Sequence, residues 1–257
     1  MNSIFDTHAH YHEKLFDKDR DFLLKDLAKN QGIFAILELG TNLKSSKKSL
    51  ELSEKYDFIY SAVGVHPLDL ENLQENYLQE IENLIFKNKK IVAIGEIGLD
   101  YHYGNKNKNF QKEVLINQIN LAKKYNLPVC IHDRESHNDV LEILEKYKPK
   151  GIVHCFSGNL KFAKKIVNLG LYLGIGGMIT YEKTNKNLVE IVKNISVEKI
   201  LLETDCPYLT PYPEKAKRCD SSYIKLTAKK ISDILNLNIE ETYNITKQNA
   251  IGLFFKS

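Results

Sequence analysis

Residues 91–96 read Ile-Val-Ala-Ile-Gly-Glu, a short apolar run that ends in a carboxylate. Such a run is typical of a strand that is covered on both faces, as strands of parallel sheets are. Seven other apolar runs alternate in the same way with amphipathic helical stretches, which is the pattern of βα units. The sequence therefore predicts eight strands, at residues 3–8, 33–39, 58–65, 91–96, 129–132, 151–154, 171–175 and 199–203.

Helical patterns follow these strands and complete eight βα pairs. They are predicted at residues 18–30, 43–55, 74–88, 107–125, 135–147, 159–169, 184–194 and 222–235, with a last helix at 239–252. Eight pairs in 257 residues match a (β/α)₈ TIM-type barrel that forms one domain over residues 1–257. A doubly wound open sheet is the alternative, but its first βα turn usually carries a Gly-rich fingerprint, and here that turn reads His-Ala-His-Tyr-His.

Composition restricts the setting in which the chain works. Four cysteines without a CxxC pair favour a reducing compartment over a disulfide framework. The first residues lack the pattern of a signal peptide, and no apolar run reaches the roughly 18 residues that a membrane span needs. We therefore expect a cytoplasmic protein with no membrane partner, as a monomer or weak oligomer.

The net charge of +3 is a weak argument for a polyanionic partner, but two stretches are locally basic. Residues 104–124 and 212–230 carry far more basic than acidic side chains. Two interpretations remain open: a solvated surface, or a basic rim that attracts phosphate. The basic residues concerned are Lys106, Lys108, Lys112, Lys123, Lys124, Lys215, Lys217, Arg218, Lys225, Lys229 and Lys230.

Six potential metal ligands fall at predicted C-terminal strand ends, where barrels of this class carry their catalytic groups. Each has an ordinary alternative, such as a salt bridge, a buried hydrogen bond or a helix cap. Because four of the eight histidines and two acids share this placement, we interpret them as one metal centre. The six are His8, His10, Glu96, His132, His154 and Asp205.

The ligand types indicate which metals fit. Imidazole with carboxylate suits Zn²⁺, Mn²⁺, Fe²⁺ or Co²⁺, whereas Mg²⁺ prefers oxygen. Six ligands exceed the three that one tetrahedral catalytic ion takes from a protein. Two ions about 3.5–4 Å apart are expected instead. Glu96 is the candidate bridge because strand 4 lies across the barrel from strand 8.

At these residues the chain resembles the TatD family of metal-dependent deoxyribonucleases, within the amidohydrolase-like barrels. The matching segments are FDTHAH at 5–10, GVHP at 64–67, GEIGLDY at 95–101, LPVCIHDR at 127–134, HCFSG at 154–158 and LETDCPYL at 202–209. The resemblance implies one ion at His8, His10 and Asp205 and another at His132 and His154, with Glu96 bridging. It also implies 3′ to 5′ exonuclease action on DNA, with Zn, Mn or Mg as the two ions.

Other residues receive provisional roles. Asp205 is expected to accept the proton of the attacking water; Glu203 is a second candidate, predicted to point to the other side of its strand. Four residues are candidate contacts to the substrate, a single-stranded DNA end: His66, Arg134, Arg218 and Tyr101. Salt bridges, hydrogen bonds to a metal ligand or packing would explain them equally. Asp6 is expected to orient a ligand histidine, and His12 and His137 to lie on the surface.

One segment departs from the family pattern, and other functions remain open. The loop after strand 8 reads Arg-Cys-Asp-Ser at residues 218–221, where the family usually has Arg-Asn-Glu-Pro. The same centre would serve an amide, ester or lactone hydrolase, or an ester hydrolase acting on D-aminoacyl-tRNA. A non-catalytic nucleic-acid-binding or assembly protein is a second alternative, although the intact set of six ligands argues against it.

Overall fold

Eight parallel strands form one sheet in chain order, and the sheet curls into a barrel. The structure is a computed structural model that describes residues 3–104, 107–214, 216 and 218–255. The strands are β1 (Ile4–Ala9), β2 (Ile33–Leu39), β3 (Ile59–Val63), β4 (Ile91–Asp100), β5 (Val129–Arg134), β6 (Gly151–Val153), β7 (Tyr172–Ile175) and β8 (Ile200–Leu202).

The barrel closes where β1 meets β8 and the residues after it. The Thr7 hydroxyl donates to the carbonyl of Leu202 at 2.9 Å, and the Asp205 amide donates to the carbonyl of His8 at 2.9 Å. A parallel bridge joins Ala9 to Cys206. The predicted (β/α)₈ architecture is therefore confirmed.

Helices follow the strands at the predicted positions. They are α1 (Arg20–Asn30), α2 (Leu43–Lys55), α3 (Tyr77–Lys87), α4 (Lys108–Lys124), α5 (His137–Tyr147), α6 (Leu160–Asn168), α7 (Lys186–Asn194), α8 (Ile224–Leu235) and α9 (Ile239–Phe254). Among the residues described, no helix combines the length and the apolar character needed to cross a bilayer.

Two strands run further than the sequence indicated. β4 continues past Glu96 to Asp100, and β5 continues past His132 to Arg134. The extensions pair with each other, Gly98 with His132 and Asp100 with Arg134, after a register shift between residues 94 and 97. Glu96 and His132 thus lie inside strands rather than at their ends, which fixes their backbones on both sides.

The last helix closes the N-terminal end of the barrel. Small and branched side chains fill the interior, and Ala250 and Phe254 of α9 pack into the same cluster. The ring of Phe254 lies 6.0 Å from that of Phe5 at the start of β1. Phe254 therefore covers the barrel interior at this end, and the predicted ligands lie at the opposite end, where the strands have their C-termini.

We predict that Phe254→Ala destabilises the fold. Removing a buried ring that the barrel wall cannot replace costs about 3–5 kcal/mol of unfolding free energy. Phe86→Ala is the matched control: Phe86 is 73% exposed, so its loss should stay within about 0.5 kcal/mol. Urea denaturation of both variants measures the difference. Equal midpoints would contradict the packing of Phe254 into the barrel interior.

Candidate metal centre

The mouth of the barrel is organised around the side chain of Glu96, whose two oxygens face two groups of histidines. Its Oε1 lies 2.8 Å from Nε2 of His154 and 3.0 Å from Nδ1 of His132. Its Oε2 lies 3.4 Å from Nε2 of His8 and 3.5 Å from Nε2 of His10. Only 4% of Glu96 is exposed, so the carboxylate is buried among imidazoles contributed by β1, β5 and the end of β6.

Asp205 completes the set from the loop after β8. Its Oδ1 lies 3.4 Å from Nε2 of His10 and 3.7 Å from Nε2 of His8. The residue takes a left-handed conformation with φ of 60°, and its amide is held by the His8 carbonyl. The structure therefore brings all six predicted ligands together. Ligand-type atoms lie within 4.8 Å of one another in three groups: His8–His154–Asp205, His8–His10–Glu96 and His66–Glu96–His132.

Hydrogen bonds outside the centre fix the tautomers of two histidines. Nδ1 of His10 lies 3.0 Å from the carbonyl oxygen of Leu39, which can only accept, so Nδ1 carries the proton. Nε2 of His132 lies 3.0 Å from Oδ2 of Asp100, which fixes its proton in the same way. When the ring is neutral, as metal binding requires, the other nitrogen of each ring presents a lone pair to the centre.

Two of the imidazoles direct a nitrogen at each other, so they either share a proton or face one metal ion. Nε2 of His8 and Nε2 of His10 lie 3.1 Å apart, a distance at which two lone pairs repel unless a proton or metal ion lies near them. With two carboxylates close by, the donor set of nitrogen and oxygen fits Zn²⁺, Mn²⁺, Fe²⁺ or Co²⁺. The residues present thus fit a divalent metal ion.

The carboxylates stay ionised although they are buried. Burial alone would raise the pKa of Glu96, but the imidazoles of His154 and His66 outweigh it and hold that pKa well below its usual range. Burial likewise opposes ionisation of Asp205, and its hydrogen bond with His10 lowers the pKa below the ordinary value. Two largely buried negative charges attract a cation strongly.

Asp100 contacts a predicted ligand, and the sequence alone did not single it out. It is 2% exposed, ends β4 four residues after Glu96, and holds Nε2 of His132. The available signal was the second acid in Gly-Glu-Ile-Gly-Leu-Asp, but with the strand expected to end at Glu96, nothing placed Asp100 opposite β5.

Glu203 does not point where it was expected. It shares its side of the strand with Leu201, which fills the barrel interior, and is 0% exposed beneath the centre. Its Oε1 accepts a hydrogen bond from the Cys155 amide at 2.5 Å, and burial raises the pKa of Glu203 to about 8. Glu203 is not among the side chains that line the open cavity, unlike Asp205.

Two further placements differ from expectation. His12 is 6% exposed rather than on the surface, because its Nδ1 lies 2.7 Å from Oε1 of the fully buried Glu38. Asp6 accepts from the backbone of His8 and from Thr204 rather than from a ligand ring. His137 is partly exposed and pairs with Asp133.

A cavity of about 630 Å³ opens above the centre. His66 and Arg134 line it, as the sequence argument expected. Three more lining side chains were not anticipated, and all are well exposed: Leu68 at 47%, Tyr103 at 72% and Tyr208 at 51%. Their loops follow β3, β4 and β8, and loop conformation is not readable from hydrophobic periodicity.

Two other expected substrate contacts lie elsewhere. Tyr101 is 9% exposed and its hydroxyl donates to Asp139 at 2.6 Å, so its ring is packed rather than offered to a base. Both terminal nitrogens of Arg218 bond the carboxylate of Asp19, at 2.7 and 2.8 Å. Neither residue lines the cavity.

Half of the basic residues that the structure describes in the two basic stretches pair with acids, Arg218 with Asp19 among them. Lys112 pairs with Asp139, Lys124 with Glu82 and Lys229 with Asp233. Lys106, Lys215 and Lys217 lie outside the described residues. The pairs that are described favour the solvated surface over a continuous basic rim.

The loop that departs from the family pattern is tied to the first strand. Ser221 donates from its hydroxyl to Oδ2 of Asp6 at 2.6 Å, and its amide donates to the hydroxyl of Tyr11 at 2.8 Å. Asp220 accepts from the Ser222 amide and begins a short helical turn. The altered residues therefore serve packing beside the barrel mouth rather than lining the cavity.

Fold and centre together define a metal-dependent hydrolase on a (β/α)₈ barrel, and comparison with known proteins agrees. Residues 5–255 match the model of the family described as TatD related DNase. The chain is 41% identical over 254 residues to the uncharacterized metal-dependent hydrolase YabD of Bacillus subtilis, covering 98% of both chains. It is 37% identical over 222 residues to the deoxyribonuclease Tat-D of Schizosaccharomyces pombe, covering 80% of this chain and 70% of that one.

A solved structure shows the same architecture. The TatD homolog YjjV from Escherichia coli K12 superposes with a TM-score of 0.91 at 28% identity, covering 100% of this chain and 99% of that one. The chain belongs to the TatD family.

We predict that Asp100→Ala weakens metal binding by about 10–100-fold, because His132 then loses the partner that fixes its tautomer. Competition against a chromophoric chelator measures the dissociation constant. Asp139→Ala is the control, since Asp139 bonds Tyr101 and Lys112 instead of a ligand histidine. Equal affinities of the two variants would refute the positioning role of Asp100.

Proposed function

We propose that this protein hydrolyses phosphodiester bonds of nucleic acid, acting as a 3′ to 5′ exodeoxyribonuclease on single-stranded ends. The observation that carries the proposal is the division of Glu96 between two histidine groups beneath an open cavity. The name of the Schizosaccharomyces pombe relative, a deoxyribonuclease, supports the choice of DNA.

Two divalent ions fit this division better than one. Oε2 of Glu96 faces His8 and His10, and Oε1 faces His132 and His154, so one carboxylate reaches both groups. Zinc, manganese or magnesium ions bound there would supply an activated water and neutralise charge on the phosphate.

Asp205 is the residue placed to move a proton. Its side chain is 18% exposed and lines the cavity, whereas that of Glu96 is 6% exposed and enclosed by imidazoles. With its pKa below the ordinary value, Asp205 is ionised and ready to accept a proton from the attacking water. Glu96 contributes by holding the histidines in place and by its own charge.

The cavity wall favours a nucleotide over a simple ester. The guanidinium of Arg134 lies 5.5 Å from the ring centroid of Tyr103, which is the most exposed aromatic side chain of the wall. A planar guanidinium fits phosphate oxygens, and a free aromatic face stacks on a base. We propose that these two residues bind the terminal nucleotide.

Four free cysteines also support a reducing compartment, and we propose the cytoplasm.

The nuclease proposal predicts that Asp205→Asn lowers the rate of single-stranded DNA cleavage at least about 100-fold, the range expected for loss of a general base. The measurement is a matrix of Mg²⁺, Mn²⁺ and Zn²⁺ against DNA, RNA, a lactone and a D-aminoacyl ester. Asp139→Asn serves as control and should keep full activity. DNA left intact under every metal, with an ester or lactone hydrolysed, would replace the nuclease proposal with the ester hydrolase alternative.

If the ring of Tyr103 stacks on the terminal base, Tyr103→Ala should raise KM for single-stranded DNA by about 5- to 150-fold, which corresponds to about 1–3 kcal/mol of base stacking. Hydrolysis of a phosphodiester without a base, methyl p-nitrophenyl phosphate, should stay unchanged. Tyr212→Ala is the matched control, because Tyr212 is 56% exposed but does not line the cavity. An equal KM for DNA in both variants would eliminate Tyr103 as a platform.

A further inference from the structure

His66 is the one histidine near Glu96 that neither predicted ligand group includes. Its Nε2 lies 3.4 Å from Oε1 of Glu96, and its ring centroid lies 4.4 Å from that of His132. With these two residues it forms a group of ligand-type atoms within 4.8 Å. Proximity alone would therefore make His66 a ligand of the second ion.

The other nitrogen of the ring argues against that role. The amide of Leu68 donates a hydrogen bond to Nδ1 of His66 at 3.2 Å. A backbone N–H can only donate, so Nδ1 must present a lone pair. A neutral imidazole carries one proton, and in His66 that proton consequently lies on Nε2, the atom that faces Glu96.

This arrangement is the reverse of the one in His10 and His132, two of the four predicted ligand histidines. In His10 and His132 an outer acceptor holds the proton and the lone pair faces the centre. In His66 an outer donor holds the lone pair and the proton faces the centre. A nitrogen that carries a proton has no lone pair for a metal ion, but it donates a hydrogen bond to an oxygen anion.

The backbone around His66 is fixed on both sides, so the ring is held in this orientation. The His66 amide donates to the carbonyl of Thr41 at 2.8 Å, and its carbonyl accepts from the amide of Asp69 at 2.9 Å. The side-chain amide of Gln118, from α4, bonds both the amide and the carbonyl of Val65, at 2.8 and 3.0 Å. The side chain is 11% exposed, with its open part towards the cavity.

We propose that His66 is not a metal ligand and that its Nε2–H donates a hydrogen bond to a phosphoryl oxygen of the substrate bound beside Oε1 of Glu96. The proposal rests on the proposed phosphodiesterase function. Preorganised donors aimed at a developing anion are a general means of stabilising a transition state. In the absence of substrate the same N–H is directed at the carboxylate of Glu96.

The decisive experiment combines metal content with phosphate binding. In His66→Ala the number of bound ions per chain, measured by mass spectrometry after reconstitution with Mn²⁺ or Zn²⁺, should equal that of the unmodified protein. The affinity of the loaded protein for inorganic phosphate, measured by calorimetry, should fall about 10-fold or more, as expected when a hydrogen bond to a charged group is lost.

Two further variants serve as a partial rescue and as a control. His66→Gln places an amide N–H near the position of Nε2 and should recover part of the phosphate affinity. His137→Gln is the matched control, because His137 is partly exposed on α5 and does not line the cavity. Loss of bound metal in His66→Ala, or unchanged phosphate affinity, would overturn the proposal.

A measurement on the unmodified protein needs no variant to fold. Imidazole ¹⁵N chemical shifts of the metal-loaded protein should show His66 with its proton on Nε2; a proton on Nδ1 would equally overturn the assignment. Failure of the proposed nuclease function gives a different result from failure of the His66 assignment. If the function is wrong, the unmodified protein leaves DNA uncleaved, whatever its metal content and whatever the tautomer of His66.

Discussion

The buried carboxylate of Glu96 is the interaction on which the site depends. An ionised carboxylate in a largely dry pocket is unfavourable unless opposite charges and donors surround it. Here imidazoles from β1, β5 and the loops after β3 and β6 converge on its two oxygens. Only a closed barrel brings strands so distant in the chain to one point. The buried carboxylate can therefore stay ionised only in this fold. The need to compensate its charge in turn explains why the barrel mouth is rich in histidine.

Backbone packing next to Glu96 is equally constrained. Gly98 has a φ of 155°, and a Cβ there would lie 2.0 Å from the carbonyl oxygen of His132. Any larger residue would push β4 away from β5, and with it the contacts of His132 with Glu96 and Asp100. The second glycine of Gly-Glu-Ile-Gly, Gly98, thus permits a close approach of β4 and β5. The position of His132 relative to Glu96 and Asp100 depends on that approach.

Sequence reasoning predicted the barrel, which the structure confirms, and the placement of six potential ligands at its mouth, because both depend on periodicity. That these six side chains hold metal ions stays a prediction. Apolar runs locate strands, and the residue that ends a run lies at the mouth. It failed where a role depends on pairing across strands or on loop conformation. Asp100 contacts His132 on the neighbouring strand, Tyr103 lies in a loop at the cavity, and His12 contacts the buried Glu38. The orientation predicted for Glu203 was wrong. Residues two apart in a strand point to the same side, so Glu203 points into the barrel interior, as Leu201 does.

The distribution of charge also bears on how a polyanion would be held. Among the described residues that line the cavity, Arg134 is the one permanently charged cation, and several lysines of the basic stretches are paired with acids. Long-tract binding of single strands relies on many cations along a groove, with aromatic stacking. The cavity offers one guanidinium and exposed tyrosines, and five acidic side chains also line it: Glu13, Glu96, Asp100, Asp133 and Asp205. It therefore does not form a cationic groove for a long strand. The distribution of charge in this cavity thus supports the proposed cleavage at a chain end over cleavage within a long strand.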